Sequence, residues 1–107
     1  SLLVEITFNP GDNNIVGTQF QLNYDNTLLK YSKTEYKING NPTNYSVDKS
    51  EFINLGSLNS DGSQITSATY KVLFITNQKL NGSLGLISIG VTEAVNKDGK
   101  SLVVKIQ

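Results

Sequence analysis

The chain of 107 residues contains no Cys, no His, no Met and no Trp, and its nine basic residues are all Lys. Without Cys or His there is no thiol nucleophile, zinc finger, Ser-His-Asp triad, haem ligand or disulfide staple. Most enzyme chemistry is thereby excluded, and the chain reads as non-catalytic. Nine Lys against nine Asp and Glu leave a formal net charge of zero. That balance, with no guanidinium fork, removes the positive field and the bidentate contacts that favour phosphate recognition, so no nucleic-acid partner is expected.

Long apolar runs are also lacking. Nothing approaches the roughly 20 consecutive apolar residues of a membrane-spanning helix, and Ser1-Leu2-Leu3-Val4 has neither a basic n-region nor a cleavage site. The chain is expected to be soluble, with no membrane span, and the missing initiator Met points to a fragment or a processed product. Absence of Cys does not fix the compartment, since a cytosolic protein can lack it too; the expectation is a protein at the cell surface, outside the cell or on a virion, where a free thiol is a liability.

What is present suffices for one modest core: 12 Leu, 9 Ile, 8 Val and 4 Phe in a single domain spanning residues 1–107. The apolar residues recur with period two, not with helical spacing. Leu2, Val4, Ile6 and Phe8 share one parity until Asn9-Pro10-Gly11-Asp12 stops the strand. Thr18, Phe20, Leu22 and Tyr24 repeat the pattern, with Gln19, Gln21 and Asn23 on the wet face. Asp25 then caps a single turn at Leu28-Leu29-Lys30-Tyr31, ahead of a strand over 33–38.

Short strands are expected over 45–47 and 52–55, and a central one over 68–76, where the residues are apolar, β-branched and aromatic. Turns fall at 39–42, 59–62 and 80–82. The strand over 84–93 places Ile87, Ile89 and Val91 inward and Ser88, Gly90 and Thr92 outward. A hairpin at Asn96-Lys97-Asp98-Gly99 leads into a last strand over 101–106. About eight short strands at this spacing predict an all-β fold, a jelly-roll or Greek-key β-sandwich.

Carboxylates are the only catalytic hardware left. Asp12, Asp25, Asp48, Asp61 and Asp98 all sit in or beside turns, where Asp bonds the nearby backbone, and that role accounts for them without a glycosidase pair. No catalytic residue, cofactor or metal is predicted. Calcium is the alternative that loops 9–14, 59–62 and 96–99 leave open, since they offer hard oxygen ligands, although none has EF-hand spacing. Tyr24, Tyr31, Tyr36, Tyr45 and Tyr70 are the residues from which a sugar-stacking platform would have to be built, with no Trp to anchor it.

The run from Ile15 through Gly17-Thr18-Gln19-Phe20-Gln21-Leu22-Asn23-Tyr24-Asp25-Asn26-Thr27-Leu28 resembles a strand of the cohesin domain: a Gly, an alternating apolar stretch, then Tyr-Asp, two residues and Leu. Tyr70 to Ile75 and Gly82 to Val91 resemble later cohesin strands in the right order. The resemblance implies a jelly-roll sandwich that binds a dockerin-like module through one flat sheet face. On this chain the face would bring together Gln19, Gln21 and Asn23 from one strand and Ser88, Gly90 and Thr92 from another. The function expected is a non-catalytic protein-interaction module in an extracellular or particle-surface assembly. Two alternatives stay open: a structural decoration domain that meets coat or surface-layer proteins, or copies of itself, through unpaired strand edges, and a carbohydrate-binding module.

Overall fold

In the computed structural model, which describes residues 1–76 and 86–106, the alternating segments become eight strands. They are β1 (Leu2–Phe8), β2 (Ile15–Tyr24), β3 (Leu29–Ile38), β4 (Thr43–Asp48), β5 (Phe52–Leu58), β6 (Ala68–Thr76), β7 (Ile87–Asn96) and β8 (Ser101–Leu102). The order β1-β6-β3 makes a three-stranded sheet and β4-β5-β2-β7-β8 a five-stranded one. Every pairing is antiparallel. Only β4–β5 and β7–β8 are joined as hairpin neighbours; each other connection crosses between the sheets, which places β2 between β5 and β7. The fold is the expected all-β sandwich, and no helix among the described residues is long and apolar enough to cross a membrane.

The core is what the period-two pattern dictates. Ile6 and Phe8 from β1, Phe20, Leu22 and Tyr24 from β2, Ile53 and Leu55 from β5, and Tyr70, Val72 and Phe74 from β6 are buried between the sheets. Rings from opposite sheets meet edge-on or tilted, Phe20 with Tyr70 at 5.3 Å and Tyr24 with Phe74 at 5.0 Å, the geometry the ring quadrupole favours.

Turn chemistry also follows the sequence. Asp25 Oδ1 accepts from the Thr27 amide at 2.9 Å, and its carbonyl accepts from the Leu28 and Leu29 amides, so Asp25 caps a single turn as expected, but over 26–28 instead of 28–31, and the turn delivers buried Leu29 to the core. The strand that follows begins at Leu29 rather than 33, because the turn ends at Leu28 rather than Tyr31 and a bulge at Ser32 keeps Tyr31 and Thr34 both facing inward. At the last hairpin Gly99 N–H reaches Asn96 O at 2.9 Å, while Asn96 Oδ1 accepts from the Asp98 and Lys100 amides. The turn expected at 80–82, the start of the strand expected from 84 and the cohesin-like residues 82–85 lie outside the described residues.

Two expectations are corrected. The final strand stops at Leu102 instead of running to 106. Beyond Leu102 the pairing with β7 ends, and among the described residues no backbone hydrogen bond holds 103–106. The second correction concerns β7. Phe20 pairs with Thr92 and Leu22 with Ile89, so Gly90 and Val91 together oppose the single residue Gln21. This bulge inverts the alternation beyond it: Val91 is 64% exposed rather than inward, and Thr92 turns inward beside Phe20, Ile89 and Ala94.

Candidate protein-docking face

Antiparallel register fixes which residues share the outer face of the five-stranded sheet. One row across it runs Tyr45, Gly56, Gln19, Glu93, and the next runs Val47, Asn54, Gln21 and the bulge at Gly90 and Val91. A third pairs Phe52 with Asn23 and Asn23 with Ser88. Five of the six residues proposed from sequence, Gln19, Gln21, Asn23, Ser88 and Gly90, therefore lie on one surface. Thr92 does not, and Glu93 takes the outward position in its place.

The centre of this face is a small amide cluster. Gln21 Nε2 donates to Asn23 Oδ1 at 3.0 Å, and Asn23 Nδ2 points to Ser88 Oγ at 3.5 Å, the long limit of a hydrogen bond. Gly90 makes this possible: a Cβ there would lie 2.7 Å from Asn23 Nδ2. On the far side Gly56 lies under the Tyr45 ring, where a Cβ would sit 2.5 Å from the Tyr45 hydroxyl and 2.2 Å from the Thr18 carbonyl oxygen. Each glycine lets a neighbouring side chain lie flat across the sheet, and an aromatic ring over a cross-strand glycine also replaces its missing packing. The result is a face with little relief.

Its chemistry is mixed. Val47, Leu58 and Val91 are 43%, 50% and 64% exposed on or beside it, and Tyr45 is 37% exposed. Burial against its neighbours pushes the Tyr45 hydroxyl up from the ordinary tyrosine range, with smaller contributions from Tyr70 and Glu93, so it stays a neutral donor at neutral pH. Sequence reasoning missed Tyr45, Val47, Leu58 and Val91 as parts of this surface. The first three needed the β4–β5–β2 register, and the last needed the bulge, of which Gly90 was the one legible sign.

The remaining candidates find local roles. Four of the five tyrosines face the core: Tyr24 and Tyr70 are buried, and Tyr31 and Tyr36 pack against it, so the five do not form an exposed stacking plane. In loop 9–14, Asn9 Oδ1 accepts from the Gly11 amide and Asn13 Nδ2 donates to the Pro10 carbonyl. The Ser63 side chain first, then the Ser63 amide at 2.8 Å from Oδ1, hold the Asp61 carboxyl below the usual range. Among the described residues no three His, Cys, Asp or Glu side chains gather as metal ligands would. No protein-family model, no curated protein and no solved structure matches the chain.

Proposed function

We propose that the chain is a non-catalytic protein-binding module, cohesin-like in its use of one sheet face, serving in an extracellular or particle-surface assembly. The observation that carries this reading is the outer face of the five-stranded sheet, flattened at Gly56 and Gly90, where exposed Tyr45, Val47, Leu58 and Val91 surround the polar centre Gln21, Asn23 and Ser88. Apolar side chains around hydrogen-bonding groups are what a protein partner buries on docking. A dockerin-like module or a coat or surface-layer protein has the size to cover such a face; a sugar would need the aromatic plane that the tyrosines do not make.

The test is retention on the immobilised domain of proteins from its source material, compared with a Gln21→Lys, Ser88→Arg double variant. Both positions point to solvent, so the variant is expected to melt as the parent does and to lose the retained partner. A partner held equally by both forms would remove the face assignment.

A further inference from the structure

Opposite the docking face, the five-stranded sheet is covered on its inner side, among the described residues, by three strands, β1, β6 and β3. The deficit shows in burial: inward residues of β2 such as Phe20 and Leu22 are sealed, whereas Ile87, Ile89 and Thr92 on the inner side of β7 remain half-buried. The uncovered strip is a cleft of about 450 Å³ whose lining mixes Phe8, Phe20, Ile89 and Leu102 with the polar Glu5, Thr7 and Lys105.

Residues 5–8 of β1 line one side of this cleft and residues 102–106 the other. On one side β1 pairs with β6 along its whole length and, among the described residues, with no strand on its other edge. On the other side residues 103–106 leave the sheet, and among the described residues no backbone hydrogen bond holds them. Val104 still packs on the core while Val103 is 98% exposed, so this tail already has the in-and-out alternation of a strand that lacks a neighbour. Two rows of N–H and C=O groups with no backbone partner among the described residues, on either side of a cleft that holds Phe8, Phe20 and Ile89, form a template for strand addition.

We infer that this cleft is a binding site for one extended peptide segment with apolar side chains at alternate positions, which enters as a strand beside β1. Its inward side chains would cover Ile89 and Thr92, and its backbone would satisfy β1 on one edge and the tail on the other. A small apolar ligand would leave both backbone rows unpaired. An edge strand of a folded second copy has only one free edge and cannot lie between two.

The experiment titrates the purified protein with a capped heptapeptide carrying valine at odd positions and threonine or lysine at even ones. Two controls accompany it: the same composition with the valines grouped, and the alternating peptide N-methylated at two alternate residues so that one backbone edge is blocked. The alternating peptide is expected to bind one per chain, to raise Tm by roughly 5 °C at saturation, and to slow amide exchange in β1 and residues 103–106. Grouping or N-methylation is expected to weaken binding at least about tenfold, the loss corresponding to one or two charge-neutral hydrogen bonds and their register. Equal binding of the methylated peptide would make the cleft a plain apolar pocket and overturn the proposal, as would absence of binding. A dimer in the peptide-free protein that dissociates on removal of residues 103–107 would overturn it too, by assigning the cleft to a second copy's tail.

Discussion

The Tyr70 hydroxyl lies 2.5 Å from Thr18 Oγ1 in the middle of an otherwise apolar core. It also donates to Ser57 Oγ at 3.0 Å, and Ser57 donates to Asn44 Oδ1 at 2.6 Å. With the single Tyr70 proton committed to Ser57, Thr18 is the donor in the short contact. The chain of hydroxyls joins β6 of one sheet to β2, β5 and β4 of the other, and no buried side-chain polar atom is left without a partner among the described residues. Tyr70→Phe removes the central oxygen and leaves Thr18 and Ser57 to re-pair, so a loss of about 1–3 kcal/mol is expected in urea denaturation. A variant as stable as the parent would show the network to be neutral.

Core truncation should cost more. Phe20→Ala and Leu22→Ala each remove a buried side chain from between the sheets, with an expected loss of about 2–5 kcal/mol by equilibrium denaturation. Melting like the parent would contradict the register described for β2.

The bulge makes a sharper prediction. Val91→Lys adds a charge to a solvent-facing position and should change stability by less than about 0.5 kcal/mol. Thr92→Lys, one residue on, directs the charge toward Phe20 and Ile89 and should cost distinctly more. The opposite ranking in thermal melts would restore plain alternation along β7.

These neighbours show where sequence reading stops. β1 and β2 were legible because their core-facing parity is apolar throughout, β6 because its residues are apolar, β-branched and aromatic, and turns at Asp25 and Asn96 were legible because their side chains serve the adjacent amides. The bulge at Gly90 and Val91 was not, since it depends on which residues of β2 lie opposite. Tyr45 over Gly56 was equally hidden, because the contact joins residues 11 positions apart through a register that the mostly polar β4 leaves open.

The two close-approach glycines should respond unequally. In Gly56→Ala the new methyl meets the Thr18 backbone oxygen, which cannot move without disturbing the ladder, and a loss of about 1–3 kcal/mol or more is expected. In Gly90→Ala it meets the tip of the Asn23 amide, which can rotate away. Chemical denaturation of both variants checks the order.

Alkaline pH should expose a further link between strands. Tyr24 donates to Asp48 Oδ1 at 2.6 Å, and burial first, then the bond to and charge of Asp48, push its hydroxyl up to about 12 from 10.0. Because the folded value is the higher, the stabilising contribution is complete below about pH 10 and is lost as pH rises from 10 toward 12. Asp25 has the reverse sign. The bonds from Thr27 hold its carboxyl low, so its contribution is present above the ordinary carboxylate range and is lost as pH falls through its folded value. Denaturation midpoints against pH should show a shallower alkaline decline for Tyr24→Phe than for the parent.

The single extra residue in β7 also bears on how this chain can change in length. Removing Val91 would leave Ile89 inward, Gly90 outward and Thr92 inward, a regular strand with every flanking pair intact. Removing Gln21 from β2 would instead bring Leu22 onto the wet side and carry each later residue of the strand with it. Homologues one residue shorter should therefore have lost it at the bulge, and the same site offers a place where a residue can be gained or lost without re-threading the sandwich.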